Sequence, residues 1–447
     1  MRQADHSVYT SLRMFLDKVP VIDTHEHYFA TTNTQPIEAM ALLDNSFYTH
    51  GDLCSVSSES AAIFKDLTLT AENQFGEFYE QFDQAYRKCR HTAYFKGSVR
   101  GAQECWGLKT VNRQSMMALQ AQIGERNNEF YQRMMEKYRI KVKIVDTCSP
   151  QRIHQLIKTG RIEGFSSYCR FAFPLASFHN FFVDGRGVVD MLSDLTGMPV
   201  PDLDAFSDAF KTLVQQSIEA GVVCFKDQSA YNRLIRYDQT PREQADLLYA
   251  KLLSQGNLDY NDSIALSNWV MRFAMTQAGK YKLPVQMHTG HMAGLYNEIS
   301  KANAVHLTSL IADFPDVHFD LFHGNWPYMG EYLFLGKNYP NVSLDLCWVQ
   351  SIDCDYSIEL MKRVVMTLPH SKLLAYGGDC CMIEGTIGFL CQARDNAAVA
   401  LSSLVESSWL TLDDAKEIAC DWFFNNANSI FRLGMEPCDW QNIEDCG

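Results

Sequence analysis

Four histidines and one aspartate are the residues of this chain best suited to chemistry. His25 and His27 stand two residues apart on a predicted extended segment, which puts both imidazoles on the same side of the chain. His288, His323 and Asp379 each follow a short apolar or glycine-rich run. Imidazole nitrogens and carboxylate oxygens are common ligands of divalent metals, so the set predicts a metal site that leaves room for a water molecule.

Eight short apolar runs alternate with longer stretches of helical periodicity, the pattern expected of an α/β protein that folds as a (β/α)8 TIM barrel. The carboxyl ends of the strands in such a barrel share one face, which would bring the histidines and Asp379 together. The predicted strands cover residues 19–23, 142–146, 168–173, 222–226, 284–288, 318–323, 342–346 and 373–376.

The gap between the first and second runs is too long for a single crossover helix. It predicts a mainly helical cap inserted at about 31–139, with helices over 71–90 and 113–138 where apolar residues recur at helical spacing. A smaller insertion is expected over 180–210, and closing helices over 411–433. No linker or repeat divides the chain, so residues 1–447 are predicted to form one barrel domain with this insertion.

The composition excludes several classes of protein. Against 39 lysines and arginines stand 53 aspartates and glutamates, a net charge of −14 over 447 residues, which disfavours nucleic-acid binding. The sequence contains no run of about eighteen apolar residues, so it predicts no membrane span. The first residues do not resemble a signal peptide. Fourteen cysteines without paired motifs indicate reduced thiols and a cytoplasmic protein, with an oxidised secreted enzyme as the alternative.

The order of these residues resembles the amidohydrolase superfamily: His-x-His at the first strand, one histidine each at the fifth and sixth strands, and aspartate at the eighth. More narrowly, the chain is similar to the amidohydrolase-2 branch, which includes aminocarboxymuconate semialdehyde decarboxylase and the N-terminal domain of FluG-type proteins. The long helical insertion is more similar to that of uronate isomerases. The segments that carry the resemblance to the branch are 225–233, 286–290, 322–328, 373–379 and 426–433.

The resemblance implies a divalent metal held by His25, His27, His288 and Asp379, most simply one Zn²⁺, with Mn²⁺ as the alternative ion. It also implies two catalytic residues. Asp379 would take the proton of the attacking water, and His323 would orient or protonate the substrate. A carboxylate that touches both the metal and the water suits the role of a base.

Lys226 has two possible roles. In binuclear members of the superfamily a lysine on the fourth strand is carboxylated and bridges two metals, and His323 then binds the second ion. Alternatively, Lys226 faces a carboxylate of the substrate as a cation. For two of the candidate substrate-binding residues, Arg170 and Arg233, a structural role as ion-pair partners is equally possible. Those candidates are Lys226, Tyr231, Arg233, Arg170 and Trp326.

We therefore expect a metal-dependent hydrolase in which metal-activated water attacks a small, carboxylate-bearing substrate. Decarboxylation and uronate isomerisation on the same site are the alternatives within enzymes, because one constellation of residues supports all three reactions. A barrel without catalytic activity that acts as a binding protein is the alternative outside them. The expected partner is a small molecule rather than a nucleic acid or a membrane, and a homo-oligomer is compatible with the fold.

Overall fold

Eight parallel strands form a single sheet in the order β1 to β8, as the computed structural model shows. The structure describes residues 6–27, 37–44, 48–65, 69–70, 72–123, 126–162 and 167–444. The sheet and its surrounding helices confirm the predicted (β/α)8 TIM barrel. The strands are β1 Val21–Glu26, β2 Ile140–Asp146, β3 Cys169–Pro174, β4 Val222–Asp227, β5 Val285–Met287, β6 Phe319–Leu321, β7 Val342–Asp345 and β8 Leu373–Leu374.

The segment that follows β8 lies against β1 and completes the circle. The Thr24 amide donates a hydrogen bond to the Tyr376 carbonyl at 3.2 Å, and the Asp379 amide donates one to the His25 carbonyl at 2.8 Å. These backbone bonds continue the pairing of a barrel beyond the short β8. They also place Asp379 directly beside the histidines of β1.

Helices cover the outside of the barrel and are amphipathic or buried, as expected for crossovers between parallel strands. One helix, α1 (His6–Lys18), precedes β1. The crossover helices are α8 Pro150–Thr159, α9 Phe181–Asp184, α10 Gly187–Thr196, α11 Leu203–Glu219, α12 Arg242–Gln255, α13 Tyr260–Tyr281, α14 Thr308–Asp313, α15 Met329–Asn338, α16 Val349–Ile352 and α17 Cys354–Thr367. The helices after β8 are α18 Ile383–Glu406, α19 Leu412–Cys420, α20 Asn426–Ile430 and α21 Trp440–Glu444.

The segment between β1 and β2 is helical and has a hydrophobic core of its own. Buried Leu53, Phe64, Phe82, Phe95 and Met116 belong to that core, which is distinct from the main core of the barrel. Residues 28–36, with which the predicted insertion begins, lie outside the described residues. The helices are α2 Thr49–Ser55, α3 Ser58–Phe64, α4 Glu77–Cys89, α5 Ala93–Trp106, α6 Arg113–Ile123 and α7 Asn128–Lys137.

Helices α5 and α18 cross at glycines, and this crossing joins the insertion to the barrel. A Cβ atom added at Gly101 would lie 1.9 Å from the Glu384 carbonyl oxygen, and one added at Gly388 would lie 2.0 Å from the Gly97 carbonyl oxygen. Real Cβ atoms do not approach that closely, so the two backbones can touch only where side chains are absent.

Two further observations concern the cysteines and the helices of the described part of the chain. Every cysteine in it is a free thiol. None of its helices is both long enough and apolar enough to cross a bilayer.

Replacing Gly388 with alanine tests the crossing. We expect Gly388→Ala to lower the free energy of unfolding by about 1–3 kcal/mol, because the added methyl group must push the two backbones apart. Urea denaturation followed by circular dichroism measures the change. The matched control is Gly51→Ala in α2, where an added Cβ meets nothing within 4 Å. If the two variants are equally stable, the close contact between α5 and α18 is not required.

Candidate metal centre and active-site pocket

The carboxyl end of β1 brings two imidazoles to the mouth of the barrel. Nε2 of His25 and Nε2 of His27 are 3.3 Å apart. Oδ1 of Asp379 lies 3.1 Å from Nε2 of His27 and 3.7 Å from Nε2 of His25. The three side chains together form a group with the spacing needed to hold a metal ion.

Backbone carbonyl groups fix the orientation of two of the site histidines. Nδ1 of His27 lies 3.1 Å from the Asp146 carbonyl oxygen, and Nδ1 of His323 lies 2.9 Å from the Cys347 carbonyl oxygen. Because a carbonyl oxygen only accepts hydrogen bonds, each Nδ1 carries the hydrogen. When these imidazoles are neutral, Nε2 of each therefore presents a lone pair to the site.

His288 faces His323 rather than joining His25 and His27. Its Nε2 donates to the His291 carbonyl oxygen at 2.8 Å, which leaves a lone pair on Nδ1. That Nδ1 lies 3.1 Å from Nε2 of His323, so two lone pairs meet at hydrogen-bond distance. A cation between or beside them removes the repulsion. His288 has no ligand atom within 4.8 Å of all three other predicted ligands, so its role as a ligand stays a prediction.

Burial keeps most of these imidazoles neutral, the form in which histidine binds metals. It lowers the pKa of His25 and His288 well below the usual value, and the nearby Lys226 ammonium lowers both further. Burial likewise lowers the pKa of His323, together with His288 and Lys226. Neutral imidazoles with converging lone pairs beside a carboxylate fit a divalent cation.

His27 behaves differently from the other three histidines. Burial acts to lower its pKa, but Cys148 and Asp379 beside it raise the pKa and prevail. The surroundings of His27 therefore favour positive charge at this point in the structure.

Four residues at the site have left-handed backbone angles although none is glycine. The φ angles are 50° at Cys148, 62° at His323, 66° at Trp348 and 52° at Asp379. A side chain in this region costs about 1–2 kcal/mol. Such residues tend to cluster at functional sites, where the surrounding structure holds them in place.

A buried carboxyl group behind the site holds the loop that carries Asp379. Oε2 of Glu26 accepts a hydrogen bond from the Cys380 amide at 2.5 Å, and Oε1 accepts one from the Thr386 hydroxyl at 2.7 Å. A Cβ atom added at Gly378 would lie 2.4 Å from Oε1 of Glu26, which explains the glycine before Asp379. Burial, together with the Asp23 carboxylate, raises the pKa of Glu26 well above its usual value.

A cavity of about 290 Å³ opens above these residues. Tyr48, Tyr231 and Trp348 supply aromatic walls, and Cys148 and Gln228 supply polar groups. Our sequence analysis missed Tyr48, Cys148 and Gln228. Cys148 and Gln228 follow the ends of β2 and β4, and that position was a usable signal, whereas no local pattern connects Tyr48 of the insertion with the barrel mouth.

The predicted substrate-binding residues are only partly at the site. Tyr231 lines the cavity, and its hydroxyl accepts a hydrogen bond from the Ala293 amide at 3.0 Å. Lys226 is buried beneath the cavity, with Nζ 3.8 Å from the centre of the Phe322 ring. Trp326 does not line the cavity, and the centre of its ring lies 5.5 Å from that of His291.

The structure does not bring Arg170 and Arg233 to the site. Arg170 lies at the start of β3 rather than at its end, on the opposite face of the barrel, and its guanidinium donates to the Ser167 and Cys169 carbonyl oxygens. Arg233 is buried outside the cavity and donates to the backbone carbonyl oxygens of residues 234 and 236 and to Asn268. Both guanidinium groups are used by backbone oxygens, so the prediction that they face a substrate is wrong for this structure.

A family model described as amidohydrolase (Amidohydro_2) matches residues 172–432 of the chain. The chain belongs to this amidohydrolase family. The family assignment confirms the resemblance found in the sequence, and members of the wider superfamily bind divalent metals. The protein FluG of Emericella nidulans is 28% identical over 275 residues, which cover 59% of this chain but only 31% of FluG.

Solved structures extend the likeness over nearly the whole chain. A uronate isomerase from Thermotoga maritima superposes with a TM-score of 0.76 at 13% identity, covering 96% of this chain and 98% of that one. A glucuronate isomerase from Caulobacter crescentus gives 0.75 at 15% identity, covering 98% and 96%. A putative metal-dependent hydrolase from Lactobacillus casei gives 0.66 at 15% identity, covering 95% and 98%. At these identities the likeness concerns the fold.

Metal analysis of variants tests the centre. We expect His25→Ala and Asp379→Ala each to lose the divalent metal of the purified protein, because each removes one of three converging ligands. Elemental analysis per chain, with circular dichroism to verify folding, measures the loss. The control is His91→Ala, which removes an exposed imidazole. Two ions per chain in the wild type would instead place Lys226 and His323 among the ligands, and unchanged metal content in both variants would contradict the assignment.

Proposed function

We propose that this member of the amidohydrolase family is a metal-dependent hydrolase that cleaves a small molecule in the cavity above His25, His27 and Asp379. The observation that carries the proposal is the convergence of the His25 and His27 imidazoles and the Asp379 carboxylate at the floor of the cavity. When bound, a divalent ion, most simply one Zn²⁺, supplies Lewis-acid polarisation and makes water more acidic.

Asp379 is placed to handle the proton of the attacking water. One of its oxygens, Oδ1, lies against His27, and the other, Oδ2, is 3.8 Å from Nε2 of His323. A carboxylate in this position takes up the proton that the water loses as it attacks, and it later passes that proton to the leaving group. The lone pair of His323 Nε2 accepts a hydrogen bond from the substrate or from water, which orients the reacting group.

The walls favour a substrate with little charge. Among the lining residues that the structure describes, none is a lysine or an arginine. The internal segments outside the described residues contain no lysine or arginine in their sequence either. Of the three cations expected to face a carboxylate, only Lys226 lies near the site, so the proposed substrate carries at most one carboxylate and otherwise contacts aromatic and neutral polar groups.

This lack of cations favours hydrolysis of a weakly charged molecule over uronate isomerisation. A uronate always carries a carboxylate, and a cation at the cavity wall is the group that recognises a carboxylate most strongly. The isomerases that superpose on this chain share its fold, and one fold hosts different reactions.

Product analysis on a substrate panel tests the proposal. The panel contains small amides, esters and lactones with zero, one or two carboxylates, together with aromatic carboxylates and uronates. We expect hydrolysis of members with at most one carboxylate, and a loss of about 10²–10⁴-fold in kcat for Asp379→Asn, because the proton acceptor is removed. Chelation of the metal should abolish turnover and its return should restore it, with His91→Ala as the unchanged control.

Other products would overturn the proposal. Release of carbon dioxide from the aromatic carboxylates would make the chain a decarboxylase, and formation of a ketose from a uronate would make it an isomerase. If metal-loaded protein bound panel members without converting any, a binding role would take the place of catalysis.

A further inference from the structure

The inside of the barrel is polar on one side, whereas barrel interiors are usually filled by branched apolar residues. Ile22, Val142, Ile144, Ala172 and Leu374 form the apolar side. On the other side, the inward-facing positions of β5, β6 and β7 are fully buried polar residues. These are Gln286, Asp320, Ser343 and Asp345.

A chain of hydrogen bonds leads from the floor of the barrel into this polar side. His318 is half-buried and lines a cleft of about 780 Å³ at the floor, opposite the catalytic pocket. Its Nε2 lies 3.0 Å from Oγ of Ser343. The Ser343 hydroxyl donates to Oδ1 of Asp320 at 2.6 Å. The cleft is therefore joined to a buried carboxyl group through one hydroxyl.

Asp320 and Asp345 form a pair of carboxyl groups at the inner end of this chain. They lie within hydrogen-bonding reach of each other, and the side chains of Gln286 and Thr24 lie within reach of Asp320 and Asp345 respectively. Two carboxylates only accept hydrogen bonds, so they can pair only if one of them carries a proton. Oδ1 of Asp345 accepts from the Cys347 amide at 2.7 Å, and the Cys347 carbonyl orients His323.

We propose that Asp320 and Asp345 share one proton and exchange it with solvent at the barrel floor through Ser343 and His318, on the side opposite the substrate pocket. A proton taken up at Nδ1 of His318 releases the hydrogen on Nε2 to Ser343, whose own hydrogen passes to Oδ1 of Asp320. The carboxyl pair gains one proton, the water of the cleft loses one, and no bond between heavy atoms changes. The path stays open while a substrate fills the pocket, and it does not depend on which reaction the pocket catalyses.

The surroundings of the pair agree with a proton held near neutral pH. Burial raises the pKa of Asp320 to about 7, and burial together with Asp320 raises that of Asp345 well above its usual value. Burial lowers the pKa of His318 to about 4, so this imidazole relays protons without storing one. Other titratable groups also act on the pair or sense its charge. They are Lys226 and Cys224 of β4, Tyr332 of α15 and Cys347 after β7.

Infrared spectroscopy of the 447-residue chain tests the proposal. A protonated carboxyl group has a carbonyl stretching band separate from that of carboxylates, and the band shifts when its hydrogen is replaced by deuterium. We expect this band at neutral pH in the wild type, and we expect a component of it, separate from any contribution of Glu26, to be lost in both Asp320→Asn and Asp345→Asn. After transfer to deuterated buffer, Ser343→Ala should slow the shift about tenfold or more, because exchange then requires local opening of the barrel.

Two further variants separate the loss of the exchange path from a general effect of substitution. Ser343→Thr retains the hydroxyl and should exchange at the wild-type rate, and His318→Phe blocks the cleft end without touching the pair. The shared proton would be overturned if the wild type showed no protonated carboxyl band, or if neither aspartate substitution weakened that band. Equal exchange rates in wild type, Ser343→Ala and His318→Phe would overturn the path.

The pH dependence of stability provides a second readout. A raised carboxyl pKa in the folded state contributes stability that is full at low pH and is lost as the pH rises through the folded value. Wild-type stability should therefore fall as the pH rises from about 4, the ordinary pKa of an aspartate, to about 7, the pKa of Asp320, and level off above it. The fall should be smaller in Asp320→Asn. Identical pH profiles for the two proteins would count against the shared proton.

Discussion

Backbone carbonyl groups hold the strand-end imidazoles, and the remaining nitrogens are thereby turned toward one another. One ring nitrogen of each of His27, His288 and His323 is bound to a carbonyl oxygen, so the other nitrogen faces the barrel mouth. In the neutral rings of His288 and His323 that nitrogen presents a lone pair. Burial disfavours protonation of His25, His288 and His323, which would otherwise relieve the repulsion. A divalent cation satisfies this arrangement, and much of the surrounding structure serves to maintain it.

Holding the site residues in place restricts both the backbone angles and the side chains that the surrounding positions can adopt. His323, Trp348 and Asp379 are held at left-handed angles, and the glycine before Asp379 lets the loop touch Glu26. The helical insertion contributes Tyr48 to the pocket and is joined to the barrel where α5 and α18 cross at glycines. The catalytic pocket is thus built by the barrel and the insertion together.

The sequence predicted the fold and the floor of the site well because both follow from simple periodicity. Each predicted strand differs from the observed one by at most three residues at either end, and parallel strands place their carboxyl ends on one face. Arg170 was wrongly assigned to the carboxyl end of the third strand, although the predicted bounds, 168–173, already placed it near the amino end. Arg233 and Tyr48 depend on loop paths and on the docking of the insertion, which local patterns do not encode. The polar interior was overlooked because Asp320, Ser343 and Asp345 alternate with apolar residues in runs that we interpreted as apolar strands.

The central claim is that the converging nitrogens of His25 and His27 and the Asp379 carboxylate bind a divalent cation. Anomalous diffraction from crystals of zinc-loaded protein, recorded at energies above and below the zinc absorption edge, tests it most directly. We expect an anomalous peak between Nε2 of His25, Nε2 of His27 and the Asp379 carboxylate, and we expect it to disappear below the edge. Absence of that peak in crystals whose protein contains zinc, or a peak only at a different place, would contradict the account.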